Sequence, residues 1–178
     1  MYKSLIGEHH LTFAVLCPDN NIGMLRSSRS SIAAYHPTSP ILAVTSKQTV
    51  KADVAEMETF CPTYRGGNTI SSLLDEGLKR AKTPWVIFFV AGNWYKPGVF
   101  RRLKCSIKSE HDILFPVIDR KWVFDEATIH CLTMPKQAGK DVGVFGDTSL
   151  SLQECKLLWA VGAIEKGYQF KGLVGVPI

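Results

Sequence analysis

Apolar residues recur along the chain in two periods, and the switching between them defines the expected elements. LTFAVL, Leu11 to Leu16, is a short apolar run ended by Cys17-Pro18-Asp19-Asn20-Asn21, which predicts a strand and then a polar loop. Leu25, Ser28, Ile32 and Tyr35 follow at intervals of three and four, with Arg26, Arg29 and Ser30 elsewhere, the pattern of an amphipathic helix. His36-Pro37 and Ser39-Pro40 break it before a second strand, Ile41 to Val44. A weaker helical spacing runs through Val50, Val54, Met57 and Cys61, and Pro62 to Asn68 reads as a loop.

The second half repeats the alternation. Ile70, Leu73, Leu74, Leu78 and Ala81 share one helical face, and Pro84 stops that helix before WVIFFV, Trp85 to Val90. A run of this kind without polar alternation suits a central strand covered on both faces. Ala91-Gly92-Asn93 predicts a turn, and Pro97 opens a helix with Val99, Phe100, Leu103 and Ile107 inward. Asp112 to Ile118 and Thr128 to Met134 read as strands. A long helix starts at Ser151, with Leu152, Cys155, Trp159 and Gly162 at helical spacing, and Leu173 to Val176 closes the chain as a strand. Strands alternating with helices predict an α/β fold, a mostly parallel central sheet flanked by helices. The length, 178 residues, fits one domain over 1–178.

Composition narrows the class. At 46% hydrophobic and 21% charged residues, disorder, collagen and coiled coil are poor fits. No stretch nears the roughly 20 apolar residues of a membrane span, and the polar start MYKSLIGEHH lacks the apolar core of a signal peptide, so the expectation is a cytoplasmic protein. Cys17, Cys61, Cys105, Cys131 and Cys155 are far apart, show no zinc spacing and read as reduced thiols. The net charge of +5 suits a polyanionic partner, but the positive residues are dispersed, and nothing else points to nucleic acid.

Ligands of open α/β sheets bind at the carboxyl ends of the strands, which directs attention to residues 17–21, 45–49, 62–68 and 90–95. These segments contain no GxGxxG, GxxxxGK[ST] or GxSxG. Helix N-termini with Arg26, Arg29, Lys47 and Arg65 nearby are the remaining means of holding a diphosphate.

One segment is more specific. LLDEGLKRAKTPWVIFFVAGNWYKPGVFRRL, Leu73 to Leu103, resembles without a gap the central segment of inverting family-2 glycosyltransferases of the GT-A fold, with Gly77, Leu78, Ala81, Trp85, Val86, Phe88, Ala91, Trp94, Pro97 and Leu103 in register. FAVLCPDNNIGMLRSSRSSI is similar to that family's first strand, loop and helix, and SLSLQECKLLWAVGAIEKGYQF with LVGVP to its ending. The resemblance implies a Rossmann-like nucleotide-diphospho-sugar transferase fold. It also implies donor contacts from Pro18, Asp19, Asn20, Thr45, Ser46, Arg65, Asp75, Ala91, Gly92 and Asn93.

The departures are chemical. The family places aspartates of a DxD motif where this chain has Val90 and Gly92, and its members usually hold Mn²⁺ or Mg²⁺ there to neutralise the leaving diphosphate. Neither side chain is a metal ligand, so no metal site is expected, and Asn93 next to them offers only a neutral oxygen. Thr45 and Ser46 stand where the family has an acidic pair, and they can hydrogen-bond without charge. For the catalytic base, the late helix offers Glu154, with Asp147 as the next candidate. Ser151-Leu152-Gln153-Glu154 is also a capping box, Gly146-Asp147-Thr148 is also a turn, and Pro18 to Asn21 is equally a turn with a helix cap.

Two functions follow as expectations. One is a metal-independent glycosyltransferase that binds a nucleotide diphosphate sugar donor and transfers the sugar with inversion to a hydroxyl acceptor. The other is a module of the same fold that binds nucleotide, glycan or protein without catalysis.

Overall fold

The seven residues of β1, Leu11–Cys17, are all buried, the outcome expected of a strand with no polar alternation. A computed structural model describes residues 6–117, 132–146 and 151–174. Parallel ladders join β1 to β2 (Ile41–Thr45) on one side and to β4 (Trp85–Val90) on the other. β3 (Thr63–Arg65) extends the sheet beyond β2. β6 (Thr133–Pro135) runs antiparallel between β4 and β5 (Asp112–Val117), and β7 (Gln169–Val174) lies parallel to β5. The order across the seven-stranded sheet is β3-β2-β1-β4-β6-β5-β7.

Alternate residues of the central strands feed two apolar layers. Phe13, Val15, Ile87 and Phe89 pack with residues of α1 (Ile22–Tyr35), α2 (Lys51–Glu58) and α4 (Val99–Ser106). Ala14, Leu16, Val86 and Phe88 point the other way, toward α3 (Ile70–Arg80), α5 (Lys136–Val142) and α6 (Leu152–Glu165). α3 approaches the sheet at Gly77, where a Cβ would come within 2.8 Å of the Phe88 ring. Each large side chain buried in these layers contributes about 2 kcal/mol of transfer free energy.

Helix starts follow local chemistry. Asn21 Oδ1 accepts the Met24 N–H at 3.0 Å to cap α1, and Thr69 with Ser72 forms a capping box on α3. Among the described residues no helix is long and apolar enough to cross a membrane.

The structure corrects several boundaries. Tyr35, expected inward, is 46% exposed, and Ser31 is buried with Ser28, Leu25 and Ile32. The expected loop 62–68 contains the short strand β3, and α5 arises from a segment with a single buried apolar residue, Ala138. The last strand begins at Gln169 rather than Leu173. The strand expected over 128–134 is seen as Thr133–Pro135, and 128–131 lie outside the described residues.

Candidate functional site

The chain passes from β1 outward through β2 to β3, then returns to the other side of β1 as β4. The strand order therefore reverses between β1 and β4, and the loops leaving the strands at such a reversal are the usual ligand position in open α/β sheets. Residues 17–21 form one wall and residues 90–95 the other. Ala91 N–H donates to Leu16 O at 2.9 Å where they meet.

The buried hydrogen bonds of the first wall join uncharged groups. Asn20 has φ 56°, a left-handed conformation that asparagine tolerates, and its Oδ1 lies within hydrogen-bond reach of the hydroxyls of Thr45 and Thr49. Those hydroxyls are 2.7 Å apart, and Thr49 Oγ1 is also 2.8 Å from Ser46 O. Two hydroxyl protons serve this group, one for Asn20 and one for the Ser46 carbonyl. Ser46 Oγ donates to Asn68 Oδ1 at 3.0 Å and accepts the Gln48 N–H at 3.1 Å, tying the β2 exit to the loop before α3. Pro18 is half-buried beside them and Asp19 is exposed.

The second wall is fastened to α1. Gly92 N–H donates to Ser28 Oγ at 3.0 Å, that hydroxyl donates to Asn93 O at 2.8 Å, and Tyr95 N–H donates to Ser31 Oγ at 2.9 Å. Asn93 spends its side-chain amide on Val90 O at 3.1 Å. Trp94 is 64% exposed next to it.

Arg65 and Asp75 share a separate cavity of about 540 Å³ between the loop after β3, α3 and α5, lined also by Gly67, Lys79, Lys140 and Val144. Asp75 accepts the N–H groups of Phe145 at 2.6 Å and Gly146 at 3.1 Å. Burial raises its pKa above the ordinary 3.8, and the two backbone donors oppose that rise. Of the other candidate cations, Arg26 lies over the Phe60 ring at 4.6 Å, and Arg29 Nε is buried without a hydrogen-bond partner. Lys47 is exposed.

Glu154 forms the capping box. Its Oε2 accepts the Ser151 hydroxyl at 2.6 Å and the Ser151 N–H at 2.8 Å, and these bonds, the hydroxyl first, lower its pKa. Asp147 lies outside the described residues.

A divalent cation does not fit the crevice. Val90 and Gly92 carry no oxygen ligand, Gly92 has φ 96°, and a Cβ there would lie 3.2 Å from Met24 Sδ. A side chain at position 92 would therefore have to displace the half-exposed Met24 thioether and adopt a left-handed backbone. Among the described residues no group of three or more His, Cys, Asp or Glu gathers in metal-binding proximity.

The structure joins Asn20 to Thr45, brings the β4 exit against Leu16 and Ser28, and groups Arg65 with Asp75 in the neighbouring cavity. Thr49, Asn68 and Ser28 belong to the walls but were not singled out as site residues. The signal for Ser28 was two serines, Ser28 and Ser31, three apart on the helix that follows the first loop.

No protein-family model matches the sequence, and no curated protein matches it. Solved structures match by fold. Bifunctional IspDF from Campylobacter jejuni aligns over 93% of this chain and 50% of its own, with TM-score 0.59 and 11% identity. A 4-diphosphocytidyl-2C-methyl-D-erythritol synthase aligns over 93% of this chain and 87% of its own, with TM-score 0.59 and 14% identity. S. aureus TarS in complex with UDP aligns over 90% of this chain and 60% of its own, with TM-score 0.59 and 13% identity. The chain spans half the length of IspDF and under two thirds of that TarS chain. The class these observations define is that of the Rossmann-like nucleotide-diphospho-sugar transferase fold, a mixed α/β sheet with helices on both faces.

Proposed function

We propose that the chain binds a nucleotide diphosphate sugar in the crevice between the β1 and β4 exits and transfers the sugar, with inversion, to a hydroxyl acceptor. The observation that carries this reading is the strand reversal between β1 and β4, walled by the Asn20, Thr45 and Thr49 cluster and by the Ser28-anchored turn at Gly92 and Asn93. Pro18, Asp19, Asn20, Thr45 and Ser46 face the nucleoside in this reading, and Ala91, Gly92 and Asn93 line the diphosphate side. With no carboxylate at positions 90 and 92, and with the N–H groups of Ala91, Gly92 and Asn93 already bonded within the chain, the leaving diphosphate is stabilised by Lys47 and Arg65.

The acceptor proton goes to Glu154, at the start of α6, or to Asp147. Glu154 serves only after releasing Ser151, because a carboxylate already holding two donors is a weakened base. That same commitment of Glu154 favours the second reading, binding of a nucleotide sugar without turnover.

Calorimetric titration with UDP-, GDP- and dTDP-sugars, each with and without Mn²⁺, tests both readings, alongside a product assay in EDTA. Turnover that survives EDTA supports transfer, and binding with no product supports the module. Strict dependence on Mn²⁺ overturns the metal-free reading, and no binding to any donor overturns both.

A further inference from the structure

A second cavity, about 570 Å³, lies at the opposite, amino end of the sheet. It is bounded by His10 before β1, Lys82 to Trp85 at the start of β4, Glu110 and His111 before β5, the first turns of α5, and Tyr168 before β7. Its volume falls in the range of small-molecule sites, about 300–1,000 Å³. The crevice of the proposed transfer reaction lies at the other end of the strands, so that reading assigns this cavity nothing.

The polar groups of the lining divide into two sets. Lys136 Nζ is committed to Ala81 O. Asp141 is committed to Tyr168 Oη, which donates at 2.6 Å, and to Gln137 Nε2 at 2.7 Å. These pairs build the wall, and Lys136 and Asp141 keep their opposite charges within it. Lys82, Lys140, Glu110 and the imidazoles of His10 and His111 remain, and both lysines are exposed. His10 Nδ1 accepts the Gly7 N–H at 3.1 Å, so the neutral ring carries its proton on Nε2 and presents a donor. Three ammonium groups, those of Lys82, Lys136 and Lys140, and an imidazole donor against the carboxylates of Glu110 and Asp141 leave a net positive lining, which favours an anion.

The other walls are flat and apolar. Trp85 is 4% exposed and Tyr168 3%, and Pro84 and Pro135 complete the lining at the end of the β4–β6 ladder, where Trp85 pairs with Pro135. The His111 and Tyr168 rings lie 5.1 Å apart. We infer that this cavity binds a small phosphate monoester with a flat apolar body, the phosphate held between Lys82 and Lys140 and the body against Pro84 and the His111 ring, the exposed flat groups of the lining. A phosphate dianion makes charge-assisted bonds to both ammonium groups, about twice as strong as neutral ones.

The test uses phenyl phosphate as the probe, titrated into the ¹⁵N-labelled full chain and followed by amide shifts. Saturable shifts confined to the amides of Lys82, His111, Gln137 and Tyr168 are expected. K82Q/K140Q should weaken binding by about tenfold or more, and K51Q, on the distant α2, should leave it unchanged. The single variants K82Q and K140Q carry the same comparison if the double variant does not fold. Inorganic phosphate should bind more weakly than phenyl phosphate, because it lacks the apolar body. The inference is overturned by unsaturable shifts, by equal loss in K51Q, by phosphate binding as well as phenyl phosphate, or by displacement of the probe by UDP.

Discussion

Asp75 on α3 accepts the Phe145 N–H at 2.6 Å and the Gly146 N–H at 3.1 Å, so one carboxylate fixes the two residues Phe145 and Gly146 that follow α5. D75N replaces one acceptor oxygen by an N–H₂ group facing a donor and should cost about 1–3 kcal/mol. Hydrogen exchange at Phe145 and Gly146 reports the loosening directly, and unchanged protection there would contradict it. The pH dependence has a definite sign. Burial raises the folded-state pKa of Asp75, so the folded chain binds its proton more tightly than the unfolded one. The Asp75 contribution to stability therefore falls as pH rises from the ordinary value through the folded-state value, and urea denaturation of D75N should lack that component.

Asp112 behaves oppositely. It is fully buried, and burial would raise its pKa, but the Lys171 ammonium at 2.7 Å and the N–H groups of Lys108 and Ser109 outweigh burial and lower it. Its contribution is complete above the ordinary carboxylate range and is lost as pH falls through the depressed folded-state value. K171M should destabilise by about 2 kcal/mol, less than a fully buried pair because Lys171 is 32% exposed to screening water. The acid unfolding midpoint should move to higher pH, and an unmoved midpoint would count against the pairing.

Placing a carboxylate at position 92 should not create a metal site. G92D meets both a positive φ of 96° and the Met24 thioether, a strain of about 1–3 kcal/mol. Adding M24A removes the contact and should recover part of the stability, the φ strain remaining. Mn²⁺ titration of G92D should resemble the parent chain, and a new site there would refute the steric argument.

The Thr45 and Thr49 hydroxyls lie against each other and against Asn20 Oδ1 and should behave as a unit. T45V alone should cost about 1 kcal/mol, a fall of roughly 2–4 °C in Tm. The T45V/T49V double variant should lose less than the sum of its singles, because either change already disrupts the group around Asn20. Thermal melts of the full cycle decide this. On the proposed function, T45V also weakens donor binding.

Much of the fold is legible where burial coincides with apolar runs. WVIFFV announced β4, and Leu73, Leu74 and Leu78 announced the inner face of α3, because in both the buried positions are the apolar ones. α1 misleads at its inner face because its buried serines satisfy themselves on the backbone of the β4 exit, leaving Tyr35 to point outward. β3 is three residues long, below the length at which alternation carries a signal, and α5 presents only Ala138 to the core. Asn20 and Thr45, both named from the sequence, are joined by a hydrogen bond beyond the ends of β1 and β2. The candidate site was not legible at Thr49, Asn68 and Ser28, whose roles depend on partners 22 to 65 positions away.

The place of β1 between β2 and β4 has a consequence during synthesis. The hydrogen bonds on one edge of Leu11–Cys17 are completed by Ile41–Thr45, but the other edge waits for Trp85–Val90. At about 5–20 residues per second, the ribosome needs roughly 2–9 seconds to make the intervening chain. For that interval the most apolar strand of the N-terminal half is a half-paired edge, the stage at which a nascent chain is most open to chaperone capture or to pairing with a neighbouring copy.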